Sequence, residues 1–165
     1  VDLNRVLESA INYCENDPKG YKHCMKVFHD MGLKYTMDVL ASAGLLPSEY
    51  AKDEPSCDEK MEWEWLTEMA MGDPEVVAKD LMEEVAKWCW NHSDDPLECL
   101  EMHSPDYFDD VAQGYFIPQK PYDIIEKMMS NIDHDTWERI EKEYAKLWRQ
   151  TYKDWRNYFR ELEND

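Results

Sequence analysis

The chain is predicted to be all-α: a compact bundle of about seven to nine mostly short helices with one long C-terminal helix. Three observations carry this. Apolar residues recur three and four positions apart along nearly every segment, and Pro and Gly stand where those segments begin and end. No stretch alternates with the period of two that a half-buried strand requires. At 165 residues the length fits a single helical domain, 1–165. Such a chain can bury roughly 70% of its unfolded surface. Seven Trp, ten Tyr and ten Met supply a core, which excludes a disordered acidic tail.

The elements follow in order. Residues 2–16 place Leu3, Val6, Leu7, Ala10, Ile11 and Cys14 on one face, and Asn16-Asp17-Pro18-Lys19-Gly20 breaks the chain. A second helix over 21–31 directs Met25, Val27, Phe28 and Met31 inward and closes at Gly32. A third over 35–43 stops at Gly44, and Leu45-Leu46-Pro47 starts a short turn. Ser56 with Glu59 reads as a capping box, opening a helix to Gly72 with Met61, Trp65, Leu66 and Met69 inward. Asp73-Pro74, Asp95-Pro96 and Ser104-Pro105 repeat the entry chemistry of a polar cap followed by proline. From Thr136 to Glu163 runs the longest pattern, with an apolar and aromatic seam that includes Trp137, Tyr144, Trp148, Trp155 and Phe159. Beside it Arg139, Lys142, Lys146, Arg149, Lys153, Arg156 and Arg160 form a basic stripe, expected to pair with the acidic middle of the chain within the molecule or across a dimer.

Charge is regional. Residues 51–113 hold 19 Asp and Glu against 4 Lys, whereas 1–50 carry 7 acids and 5 bases and 114–165 carry 11 and 9. The domain therefore reads as near-neutral helices, acidic helices, then a connector with the long helix. Neighbouring carboxylates 6 Å apart in water repel by about 0.7 kcal/mol per pair, against a typical stability of about 5–15 kcal/mol, so such density suggests a use. Adaptation to high salt would spread acidity evenly and deplete Lys, yet Lys outnumbers Arg 13 to 5. Duplex DNA carries one charge per roughly 1.7 Å of axis, so this block matches the charge of about nine or ten base pairs. It would attract a positively charged groove and repel nucleic acid itself. The candidate phosphate surrogates are Asp58, Glu59, Glu62, Glu68, Glu83, Glu84, Asp94, Asp95, Glu98, Glu101, Asp109 and Asp110.

Other constellations rank lower. Cys89-x2-His92 and Cys99-x3-His103 carry zinc-type ligands, set against the reading of buried cysteines and surface histidines. His29-Asp30 and His134-Asp135 are not read as acid-base pairs, because adjacent residues on a helix do not face one another. No phosphate loop, nucleophile elbow, HExxH or calcium loop is present, so neither an enzyme nor a cofactor is expected. Five Cys form an odd count without compact framework spacing, and no leader or long apolar run appears. These features predict reduced thiols, a cytoplasmic location and no membrane association.

Tyr35-Thr36-Met37-Asp38-Val39-Leu40-Ala41-Ser42-Ala43-Gly44-Leu45 resembles the helix and glycine stop of Ocr-like antirestriction proteins of T7-like phages, through Tyr35, Asp38, Ala41, Ser42 and Gly44. The resemblance implies a small, acidic, helical dimer that mimics DNA, with Val39, Leu40 and Ala41 at the subunit contact. It would place the protein in a host cytoplasm if phage-encoded. The acids here follow that segment, and the last helix is basic on one face.

The expected function is a noncatalytic inhibitor that mimics nucleic acid and blocks the DNA- or RNA-binding groove of a basic host-defence or DNA-processing protein, with no direct nucleic-acid binding and with homodimerisation among its expected states. One alternative is a structural or adaptor protein that uses the C-terminal seam, including Trp148 and Trp155, for packing or partner recognition. The other is a zinc-stabilised binding module.

Overall fold

Eight α-helices and two 3-10 turns build residues 1–164, the residues described by this computed structural model, and no strand occurs among them. The helices are α1 (Leu3–Glu15), α2 (Tyr21–Ser42), α3 (Cys57–Met71), α4 (Pro74–His92), α5 (Pro96–Met102), α6 (Phe108–Tyr115), α7 (Tyr122–Ser130) and α8 (His134–Glu163). The 3-10 turns span Ser48–Lys52 and Pro105–Tyr107. The all-α expectation holds, long last helix included. The chain divides into two compact units, Val1–Gly72 with Gln119–Asp133, and Asp73–Pro118 with His134–Asp165.

The first unit contains α1, α2, α3 and α7. Every predicted core residue of α1 is buried. Asp2 caps that helix by accepting the Arg5 N–H at 3.3 Å. In α2 the break falls at Gly32, whose φ of 87° and ψ of 173° suit only glycine. The Thr36 hydroxyl donates to the Gly32 carbonyl at 2.9 Å and reaches that of Phe28 at 3.4 Å, where the Trp63 indole N–H also donates at 3.4 Å. The interrupted helix is thus sealed from within. Its far end is a Schellman motif: Leu45 N–H donates to Leu40 O at 2.9 Å and Gly44 N–H to Ala41 O at 3.1 Å, with Gly44 at φ 75°.

Two inward faces differ from expectation. Val27 and Met31 of α2 are exposed, and the neighbouring Cys24 is buried instead. On α3 the capping box forms, but Trp63, Leu66, Thr67, Met69 and Ala70 face the core while Met61 is 69% exposed. On this face Thr67 can occupy a core position because its hydroxyl bonds back to the Trp63 carbonyl at 2.9 Å.

The second unit contains α4, α5, α6 and α8. Asp73 caps α4 through the Glu75 N–H at 3.3 Å and Asp95 caps α5 through the Glu98 N–H at 3.1 Å, each with proline at the first helical position. At Ser104-Pro105 the same signal opens only a 3-10 turn, with no bond from the Ser104 side chain. Helix α8 lies along α4. Its Ile140, Tyr144 and Ala145 are buried, and the seven cations of its stripe are all exposed. Tyr144 packs its ring 5.4 Å from Phe108 and donates its hydroxyl to the His103 carbonyl at 2.6 Å.

The cysteines overturn the expectation of reduced thiols. Cys14–Cys24 staples α1 to α2 in the first unit and Cys89–Cys99 staples α4 to α5 in the second, leaving Cys57 as the free, exposed thiol among the described residues. In each case a proline-containing break reverses the chain and brings consecutive helix ends together.

Candidate functional site

The candidate acids divide between the units. Asp58, Glu59, Glu62 and Glu68 lie on α3 in the first, and the other eight belong to the second. None of the twelve is buried.

In the first unit most of this charge is engaged. Glu59 closes the capping box, accepting the Ser56 N–H at 2.9 Å, which holds its carboxyl below the usual carboxylate range. Glu62 pairs with Lys120 at 2.8 Å, and Glu68 lies 3.5 Å from the His29 imidazole. Asp58 is exposed without an ion pair among the described residues.

In the second unit Glu83 is the one of the eight with an ion pair among the described residues, to Lys79 at 4.0 Å. Three others are held by neutral donors. Glu101 accepts the Tyr152 hydroxyl at 2.6 Å, Asp109 the Trp137 indole N–H at 3.1 Å, and Asp95 the backbone of Glu98. Neutral donors fix a carboxylate without cancelling its charge. The bond to Glu101, with burial second, raises the Tyr152 phenol above its usual pKa.

Asp94, Asp95, Glu98 and Glu101 share a surface depression of about 550 Å³ with Glu163, walled by the Tyr152 and Phe159 rings. Asp109 and Asp110 join Asp106 and Glu141 around a second depression of about 260 Å³. Carboxylates beside aromatic faces suit guanidinium and ammonium groups, which gain both a counter-charge and cation–π contact. Asp106 belongs to the acidic middle that the sequence marks, whereas Glu163 and Glu141 join these groups from α8, outside it. Spacing along α8 shows only that Glu163 falls near Phe159.

The remaining candidates resolve as follows. The basic stripe does not pair with the twelve acids among the described residues, and Lys146 instead meets Glu143 on its own helix at 3.1 Å. Leu40 is fully buried in its own unit, where it packs, and Val39 and Ala41 are half-buried beside it. Trp148 and Trp155 serve packing: the Trp148 indole donates to Leu100 O at 2.8 Å, and Trp155 stands edge-on to Trp90 at 5.4 Å.

Cys89 and Cys99 have no thiolate to offer a metal, because each sulfur is bonded to the other. His92 donates Nδ1–H to the Trp88 carbonyl at 3.2 Å and stacks on that ring. His103 is held between the Cys99 carbonyl at 2.7 Å and the Tyr115 hydroxyl at 2.9 Å. The rejected histidine pairs split. His134 pairs with Glu138 one turn on, at 3.0 Å, whereas His29 does reach its neighbour, with Nδ1 3.0 Å from Asp30 Oδ1.

Compared with known proteins, the chain matches no family model, no curated protein and no solved structure.

Proposed function

We propose that the protein is a noncatalytic binder that offers exposed carboxylates of its second unit to the positively charged nucleic-acid groove of another protein, in place of nucleic acid. One observation supports this most: Asp94, Asp95, Glu98, Glu101, Asp109 and Asp110 are exposed and without ion pairs among the described residues, although seven exposed cations stand on α8 of the same unit. Surface carboxylates that the protein leaves unneutralised keep their full attraction for a cationic partner. The two disulfides favour an oxidising compartment over the cytoplasm, so the partner class is a basic nucleic-acid-binding protein resident where disulfides persist.

The test is competition. A basic protein captured on the immobilised chain at low salt is challenged with duplex DNA. Displacement supports the reading, and a ternary complex containing both DNA and the captured protein refutes it.

A second reading, adaptor binding through aromatic surface, is favoured by the free end of the seam, where Trp90, Tyr158 and Leu162 are exposed. Salt separates the two. Binding through rings holds its affinity as ionic strength rises, whereas binding through carboxylates loses it.

A further inference from the structure

We infer that His29, Glu64 and Glu68 form a binding site for a divalent transition-metal ion, with Asp30 positioning the imidazole. The inference concerns the first unit and is independent of the exposed carboxylates of the second. His29 lies on α2, ahead of the Gly32 break, and Glu64 and Glu68 sit one turn apart on α3, so their carboxylates share a side of that helix. One imidazole nitrogen and one oxygen from each carboxylate all fall within 4.8 Å of one another.

The proton on His29 can be placed. Nδ1 is 3.0 Å from Asp30 Oδ1, and a carboxylate only accepts, so Nδ1 carries the hydrogen. In the neutral ring Nε2 then presents a lone pair. That atom is buried and has no hydrogen-bond partner; Glu68 Oε1 lies 3.5 Å away without hydrogen-bond geometry. One ring nitrogen and two carboxylates therefore converge on one point, which a proton on Nε2 or a metal ion can occupy in competition. A carboxylate holding one imidazole nitrogen while the other faces two further ligands is the arrangement that orients a metal-binding histidine.

The surroundings are rigid enough to keep this geometry. Immediately beside His29 the Phe28 carbonyl is tied to Trp63 of α3, and the Thr67 hydroxyl bonds to the carbonyls of Trp63 and Glu64 at 2.9 and 3.0 Å. The register between the two helices is thus fixed at the site. One neutral nitrogen and two anionic oxygens balance a dication and leave coordination positions for water, a donor set suited to zinc, manganese(II) or iron(II). Zinc, which needs no redox control, is the ion to test.

The experiment titrates the folded, oxidised full chain with zinc chloride by calorimetry in excess magnesium, which occupies loosely binding surface carboxylates. Nitrogen-15 spectra of the histidine rings are followed in parallel. The expected result is one zinc per chain, with the His29 Nε2 resonance moving on saturation. Glu64→Gln and Glu68→Gln should each weaken binding at least tenfold, and Asp30→Asn by about 10–100-fold. His103→Ala should bind as the parent does. Glu64 is exposed, so E64Q keeps the test valid should changes at His29 disturb folding. The proposal is overturned if the parent shows no saturable uptake above the magnesium background, if both glutamine variants bind unchanged, or if the shifted resonance belongs to another histidine, as an adventitious surface site would give.

Discussion

Tyr152 on α8 donates its hydroxyl to Glu101 on α5 across 2.6 Å, so the aromatic seam that packs the second unit also positions one of its exposed acids. The bond is to a neutral phenol. Glu101 loses freedom without meeting a cation among the described residues, as does Asp109 under the Trp137 indole. Side chains held in place before a partner arrives have less ordering cost to meet on binding.

The Tyr152 phenol is raised above its ordinary pKa, first by its bond to Glu101 and then by burial. Its contribution to stability is therefore complete below the ordinary tyrosine pKa of about 10 and is lost as pH climbs through the folded value. Glu101→Gln should move one tyrosine of the ultraviolet titration to lower pH. An unchanged curve would detach Tyr152 from Glu101.

Tyr144 is raised by burial and then by Tyr115, and its hydroxyl bonds to the His103 carbonyl. Tyr144→Phe should cost about 1 kcal/mol near neutral pH in urea unfolding. Because this phenol too is held protonated, the parent should lose stability faster than Y144F as pH rises above about 10.

The staples predict a thiol count. Unfolded, unreduced protein should show one reactive thiol, Cys57, and reduced protein all five. Each disulfide spans ten positions, and a loop of that length corresponds to about 2–3 kcal/mol in the chain-entropy picture. Replacing Cys89 and Cys99 together by serine should lower the urea midpoint accordingly.

Gly32 and Gly72 test the helix punctuation in different ways. A Cβ at Gly32 meets nothing within 4 Å, so Gly32→Ala should cost about 1–3 kcal/mol from backbone strain alone. At Gly72 the φ of 69° suits glycine, and a Cβ would also stand 3.1 Å from the Ile132 side chain. Gly72→Ala should therefore show a strain that Ile132→Ala partly relieves, measured as coupling in a double-mutant cycle.

Much of the fold is legible in the sequence because helix ends are local chemistry. Asp73-Pro74, Asp95-Pro96, the Ser56–Glu59 box and the Gly44 stop all act within a few residues, and each marks a helix end in the structure. The α1 core is legible for a related reason: its apolar set fits a single face. On α3 two faces compete, since Met61, Trp65, Leu66 and Met69 also fit the period, and the true face includes Thr67, which composition marks as polar. Cysteine pairing was hidden because it depends on how a break folds back. The site was half legible: the acids could be counted, but which were already engaged, as Glu62 is by Lys120 from 58 residues away, is a tertiary fact. His29 was dismissed on helix geometry, yet it reaches Asp30 along the backbone and the α3 carboxylates in space.

In the proposed function, the acids around the Tyr152 depression carry partner binding through their charge. The most direct measurement compares the parent with a D94N/D95N/E98Q/E101Q variant for affinity to the captured basic protein across a salt series. The D95N change keeps a side-chain oxygen that can still cap α5. With the helical signal unchanged, the variant is predicted to bind at least about tenfold more weakly at low salt and to show a flatter salt dependence. Equal affinity and an equal salt slope in the two proteins would refute charge-borne binding at this depression.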